Sequence, residues 1–390
     1  MKELLLKNAK IVLKDKIIEG DILTVDGIIK DIIETKSLKE KNTLENKNSI
    51  DINGKYVVPG FIDVHIHGSN GADAMDGTEE ALKVVSSYIV TKGTTKFLAT
   101  TLTSSKEELI NVLKIAGKLQ NKELDGATIF GVHMEGPYFD IEYKGAQNEK
   151  YMKPATKKEI KEYLDVKPGL VKLMSLSPHT DESLETIKFL RENGVVISVG
   201  HSAAKFDDVM KAVEVGLSHS THTFNGMRGI NHREPGVAGA ALSSDKINAE
   251  VIFDKVHIHP DIVKLMLKAK GTDKVVCITD AMAATGLPEG DYKLGELEVY
   301  VKNNQARLKS NDSLAGSVLT LDKAFRNIIE LGYSIHDAIK VTSTNAATEF
   351  GINAGSIEVG KEADFLSNSR PLYFLPLSNP LVRIQMPSFF

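Results

Sequence analysis

The chain has 390 residues, 42% of them hydrophobic and 26% charged, with a formal net charge of −4. That length suits one large barrel-sized domain with a small appendage, and the composition is that of a soluble globular protein. The mildly acidic balance excludes an electrostatic footprint for nucleic acid or a membrane surface, so an anionic substrate must be held by a local site.

The N-terminus, MKELLLKNAKIVLKDK, interrupts every apolar run with charge and shows neither a signal-peptide core nor a cleavage site. Residues 1–35 alternate short apolar runs with turn signals, and Asn8, Gly20, Asp26 and Gly27 fall where hairpin turns are expected. A small antiparallel β unit follows from that pattern. SLKEKNTLENKNS comes next, rich in Lys and Asn and without periodicity, and reads as a solvated loop.

From KYVVPGFIDVHIHG onward the grammar becomes strand, polar turn, helix, repeated. Eight short runs read as strands: 61–67, 95–101, 128–135, 171–177, 195–201, 217–222, 249–254 and 274–280. TEEALKVVSSYIVTKG and DESLETIKFLRENG are helical stretches that end near a Gly, and Ser105 with Glu108 makes a capping box for another. Eight alternating units predict a (β/α)8 barrel over 54–354. An open doubly wound sheet is the alternative, weakened because no G-x-G-x-x-G follows the first strand. After the barrel, SIHDAIKVTSTNAATEFG reads as helix and GSIEVGKEADFL as a returning strand pair. Cys277 is the only cysteine, which excludes intrachain disulfides and fits the reducing cytoplasm. No run approaches the ~18 apolar residues that span a bilayer. A soluble cytoplasmic protein is expected.

The chemistry lies in where His and acidic residues fall. His65, His67, Glu135, His201, His222 and Asp280 all sit at or beside the C-terminal end of an expected strand. In a (β/α)8 barrel those ends converge on one mouth, where active sites are built. His65-x-His67 puts two imidazoles on one face of a strand, able to chelate one ion. Singly, each of these residues is more often a satisfied polar group or a salt-bridge partner. Jointly, four strands ending in ligand-type residues point to a divalent cation such as Zn2+ or Fe2+. Asp280 reads either as a helix N-cap or as a general acid/base beside an activated water; the second is favoured because it faces the ligand cluster.

PGFIDVHIHG resembles the first-strand signature of the amidohydrolase superfamily. HMEGP, GHS, THTFNGM, HREPG, ITDAM and LAGS, in that order, resemble the N-acetylglucosamine-6-phosphate deacetylase family over about residues 1–365. The resemblance implies a barrel with a small β-sandwich domain made from both chain ends, 1–53 and 355–390. It implies hydrolysis of N-acetylglucosamine 6-phosphate to glucosamine 6-phosphate and acetate, with one or two ions per subunit and a homodimer. Glu135, His201 and His222 correspond to the main metal ligands, and His65 and His67 to members that hold a second ion. Asp280 corresponds to the acid/base. Ala146 and Gln147 match a substrate-contacting pair, Asn225 and Gly226 a pair at the phosphate, and His257 a sugar contact. Arg233 matches an Arg on the phosphate that the family can supply across a subunit interface. Leu314, Ala315 and Gly316 match a loop touching substrate. His133, His179, His219 and His232 are expected to support the site without ligating.

Two rival functions follow from the same residues. One is a dihydroorotase- or hydantoinase-type amidohydrolase, which would need a bridging Lys that the fourth strand does not end in. The other is a sugar-phosphate sensor without catalysis, against which the complete ligand set and Asp280 argue. The family pattern breaks after Leu366, where Pro371, Pro376, Pro380 and Pro387 interrupt any central strand and only Arg370 and Arg383 carry charge. Residues 368–390 are therefore expected to be poorly ordered or atypically packed.

Overall fold

The computed structural model describes residues 2–35, 48–368 and the short strand at 375–376. The expected solvated loop lies almost entirely outside the described residues, as does nearly all of the proline-rich tail. Two compact units form: Met1–Ile62 with Ile89–Thr95 and Leu321–Phe390, and Asp63–Tyr88 with Lys96–Thr320. Among the described residues, no helix is long and apolar enough to cross a membrane.

All eight expected barrel strands are present. They form one parallel sheet in strict chain order: Phe61–Ile66, Thr94–Thr100, Thr128–Glu135, Val171–Leu176, Val196–Val199, His219–Ser220, Asn248–Ile252 and Val275–Ile278. Strands of a covered parallel sheet are buried on both faces and so read as continuous apolar runs; Phe61–Ile66 and Thr94–Thr100 are buried at every position. The last strand returns to the first. Asp280 N donates to His65 O and His67 N to Ala281 O, each at 2.9 Å, and Thr279 Oγ1 donates to Asp63 Oδ2 at 2.6 Å. The sixth strand is only two residues long.

Helices alternate with these strands, and their ends follow local chemistry. Ser105 caps Lys106–Leu119 in a capping box with Glu108, and Thr180 caps Asp181–Glu192. After Val275–Ile278 no helix begins at Asp280. The chain instead turns and enters a three-stranded antiparallel sheet, Gly290–Leu294, Leu297–Lys302 and Gln305–Leu308. The tight turn between the last two strands uses Asn303 and Asn304 at φ 53 and 58, the left-handed pair that a type I′ hairpin requires.

The chain ends build the small β-sandwich. Its seven-stranded sheet runs Leu375–Pro376, Phe365–Asn368, Tyr56–Pro59, Glu3–Val12, Ile17–Val25, Ile28–Glu34, with Ser49–Asp51 also on Glu3–Val12. Leu4, Leu6, Ile11, Ile22, Ile29, Val57 and Phe365 make its core. Among the described residues Leu375–Pro376 is the end strand of this sheet, a place where proline is tolerated. Two sequence expectations need correction here. Asp26 and Gly27 do make the hairpin turn, but Asn8 (φ 56) is a bulge that shifts register inside Glu3–Val12. Gly20 lies within Ile17–Val25, where an added Cβ would come 2.2 Å from Ile33 O. The expected strand pair in GSIEVGKEADFL is one strand only, Phe365–Asn368. The preceding residues turn at Gly360 (φ 91) and satisfy their backbone on Gly27 and Ile29 instead.

Candidate active site at the barrel mouth

Four imidazoles and two carboxylates converge where the strands end. Glu135 closes Thr128–Glu135, and its Oε1 lies 3.1 Å from both His201 Nε2 and His222 Nε2. His65 Nε2 is 3.6 Å from the same oxygen and 3.5 Å from Asp280 Oδ1. His67 Nε2 is 3.4 Å from Glu135 Oε2 and 3.1 Å from Asp280 Oδ1. Three groups have ligand atoms close enough to share an ion: the triads Glu135–His201–His222 and His65–His67–Asp280 and, fully buried, His65–His133–Glu250.

The opposite ring nitrogens explain the orientation. His65 Nδ1 donates to Glu250 Oε2 at 3.0 Å and His67 Nδ1 to Thr100 O at 3.3 Å. His201 Nδ1 donates to Tyr143 O at 2.8 Å and His222 Nδ1 to Asn225 O at 3.1 Å. Carbonyls and carboxylates only accept, so each of these bonds places the proton on Nδ1 and leaves the Nε2 lone pair facing inward. Four inward lone pairs and two carboxylates cannot satisfy one another. His201 Nε2 and His222 Nε2 stand 3.2 Å apart, and His65 Nε2 is buried without a hydrogen-bond partner. This is the donor chemistry of a divalent cation site, with the far nitrogen of each imidazole anchored as metal-ligating histidines are.

Electrostatics show that, without an ion, the same inward Nε2 positions draw protons, the other positive charge that could fill them. Burial alone would lower the His65 imidazole, yet the carboxylates of Glu250, Glu135 and Asp280 outweigh it and push His65 well above its ordinary value. His67 and His222 are raised against the same burial. Burial would raise Asp280, but His65 and His67 hold it below the usual carboxylate range. The cluster attracts positive charge. His201, His222 and Asp280 also adopt φ of 45, 28 and 50, a left-handed conformation that non-glycine residues pay about 1–2 kcal/mol to hold. Each lies two residues past the end of its strand, so the backbone kinks to aim the side chain.

A cavity of about 250 Å³ opens over the cluster. Of the residues expected in the site, His67, Glu135, Ala146, Gln147, His201, His222, Asn225, Gly226, His257, Asp280, Leu314 and Gly316 line it. Gln147 donates to Glu135 Oε2 at 2.7 Å and accepts from Thr103 N at 2.8 Å, so its amide holds the carboxylate in place. An added Cβ at Gly226 (φ 53) would lie 2.8 Å from His201 Nδ1. His257 is oriented by Asp254, whose Oδ2 accepts from its Nδ1 at 2.7 Å.

Three expected residues are not on the cavity wall. His65 is fully buried beneath it, Ala315 is buried with its N–H on Ala306 O, and Arg233 is exposed, its N–H on Asn231 Oδ1. His133 packs edge-on against His65 and bonds Ser175 Oγ, His219 bonds Glu250, His179 bonds Ser177, and His232 is exposed. The N-cap reading of Asp280 fails, since no helix follows it. Sequence reasoning missed Glu250, fully buried in the middle of Asn248–Ile252. A lone acid inside an otherwise apolar strand was the available signal. Leu102 and Leu294, which close the cavity side, gave none.

A model of the amidohydrolase family matches residues 56–379. The chain is 37% identical to N-acetylglucosamine-6-phosphate deacetylase of Lysinibacillus sphaericus, covering 88% of each chain. It is 37% identical to the enzyme of that name from Bacillus subtilis over 93% of this chain and 92% of the relative. The solved structure of N-acetyl-D-glucosamine-6-phosphate deacetylase from Mycobacterium smegmatis with its N-acetyl-D-glucosamine-6-phosphate superposes at a TM-score of 0.88, with 28% identity, over 96% of this chain and 97% of the other.

Proposed function

The chain belongs to the amidohydrolase family, in its N-acetylglucosamine-6-phosphate deacetylase branch, and from that premise we propose that it hydrolyses N-acetylglucosamine 6-phosphate to glucosamine 6-phosphate and acetate. The family works with a divalent metal, and the observation that supports the reading most is the set of four inward Nε2 atoms whose Nδ1 partners are already committed. Glu135, His201 and His222 would hold one ion, and His65, His67 and Asp280 a second; Zn2+ or Fe2+ suits this nitrogen-rich set. When bound, the metal supplies Lewis acidity to the acetyl carbonyl and acidity to the attacking water.

The chain's own residues do the rest. Asp280, 3.1 Å from His67 and at the cavity wall, accepts the proton of the attacking water and delivers it to the departing sugar nitrogen. Gln147 keeps Glu135 fixed, so the ligand set is preorganised. Asn225 and Gly226 receive the phosphate end, His257 a sugar hydroxyl, and the Leu314–Gly316 loop covers the substrate. Arg233 is exposed and outside the cavity lining of its own chain, which suits an arginine lent to a partner subunit's phosphate in a homodimer. The buried, unpaired Cys277 suits the cytoplasm.

The test is acetate release from N-acetylglucosamine 6-phosphate by metal-replete protein, with dihydroorotate ring opening in parallel. Stoichiometric acetate and glucosamine 6-phosphate are expected. Binding of the sugar phosphate without turnover would overturn the reading.

A further inference from the structure

Glu250 has no part in the reaction above, yet it is among the most deeply buried charges in the barrel, with 0% exposure. A buried carboxylate is costly unless it is paired and hydrogen-bonded. Here both oxygens accept, through three bonds in all. Oε2 accepts from His65 Nδ1 at 3.0 Å and from the backbone N–H of His222 at 2.8 Å. Oε1 accepts from His219 Nε2 at 3.0 Å. The main chain joins in, because Thr223 N donates to Glu250 O at 3.0 Å. One oxygen therefore touches a residue of each triad.

The two contacts do different work. Across His65 the bond fixes the tautomer and ring plane, which leaves Nε2 unpartnered and pointed at Glu135 and Asp280. At His222 the bond pins the amide of a residue held at φ 28, the least relaxed of the kinked ligands. Losing that anchor would let the backbone relax and carry the imidazole away from Glu135.

We propose that Glu250 is a positioning residue whose Oε2 locks His65 and His222 together, so that the His65–His67–Asp280 and Glu135–His201–His222 triads bind cations as one coupled unit. This rests on the metal reading of the site, deepens it, and is separable from it by experiment. His219 supports the carboxylate at its other oxygen, Oε1.

The experiment is titration of metal-free protein with Co2+, read by its visible absorption and by competition with a chelator, alongside thermal melts of the metal-free form. Parent, Glu250→Gln, Glu250→Leu and His219→Gln are compared. Removing an outer carboxylate of this kind lowers metal affinity about 10- to 100-fold. Glu250→Gln, which keeps one acceptor oxygen, is expected at the low end with an altered Co2+ spectrum, and Glu250→Leu at the high end. His219→Gln should stay within about threefold of the parent, far less than loss of the ligand-bearing oxygen. If Glu250→Leu does not fold, Glu250→Gln decides. Parent-like affinity and spectrum in Glu250→Gln, with only the metal-free melting temperature lowered, would overturn the proposal and reduce Glu250 to a structural residue. So would an equal loss in His219→Gln. A parent that binds no Co2+ would overturn the metal reading itself.

Discussion

The barrel mouth and the terminal β-sandwich are built on opposite principles. The sandwich core is aliphatic and aromatic, Leu4, Leu6, Ile11, Ile22, Ile29 and Phe365, and its backbone departs from regularity at two register shifts and a hairpin turn. The mouth buries five imidazoles and three carboxylates within a few ångströms and kinks the chain at His201, His222 and Asp280. In the first region residue identity answers to packing, so volume-conserving changes are tolerated. In the second it answers to chemistry, and the strain and buried charge held there are repaid only when a cation arrives.

That contrast can be broken most sharply by removing the metal. Chelation should abolish deacetylase activity while the melting transition of the sandwich persists, and Zn2+ or Fe2+ should restore turnover; full activity in a verified metal-free sample would refute the mouth's half of the contrast. Next in size, Asp280→Asn should lower kcat about 10²- to 10⁴-fold, the range for a lost general acid/base. Turnover at the parent rate would remove Asp280 from the reaction. On the other side, Phe365→Ala should cost about 3–5 kcal/mol of stability, as large aromatic truncations in cores do, with kcat per folded molecule unchanged. A changed kcat at saturating metal would show that the two regions are not independent.

Smaller effects sharpen the picture. Gly226→Ala places a methyl against His201 at a left-handed position, and a strain of about 1–3 kcal/mol there corresponds to roughly a 5- to 160-fold loss in kcat/KM. The last prediction concerns Lys270, whose amine burial lowers to about 8. The unfolded chain holds that proton more tightly, so the fold gains stability as pH rises from about 8 toward the ordinary lysine value of about 10.4, and below 8 the penalty is constant. Relative to Lys270→Met, the parent's melting temperature should therefore climb across that window. A flat difference would show that the amine is not desolvated.

Much of this was legible in sequence because it is local. Parallel strands buried on both faces leave apolar runs, and their C-terminal ends can be read for ligands; that is how His65 through Asp280 were found. The capping box at Ser105 and Glu108 is written in four consecutive residues. What could not be read depends on distant partners. Gly20 looked like a turn and is instead the one residue that fits against Ile33 O. Asn8 looked like a turn and is a bulge set by pairing with Ile17–Val25. Gln147 matched a substrate contact, yet its amide is held between Glu135 and Thr103. Glu250 falls inside the expected strand 249–254, but its partners appear only when the first and seventh barrel strands come together. The hairpin at Asn303 and Asn304 carried a usable signal in its two consecutive asparagines.

The most direct test of the shared-cation claim is anomalous diffraction from crystals of the zinc-loaded protein, recorded on both sides of the zinc edge. The arrangement here predicts an anomalous peak within bonding distance of Glu135, His201 Nε2 and His222 Nε2, with any second peak between His65, His67 and Asp280. Zinc bound elsewhere, with no peak among these six side chains, would contradict it.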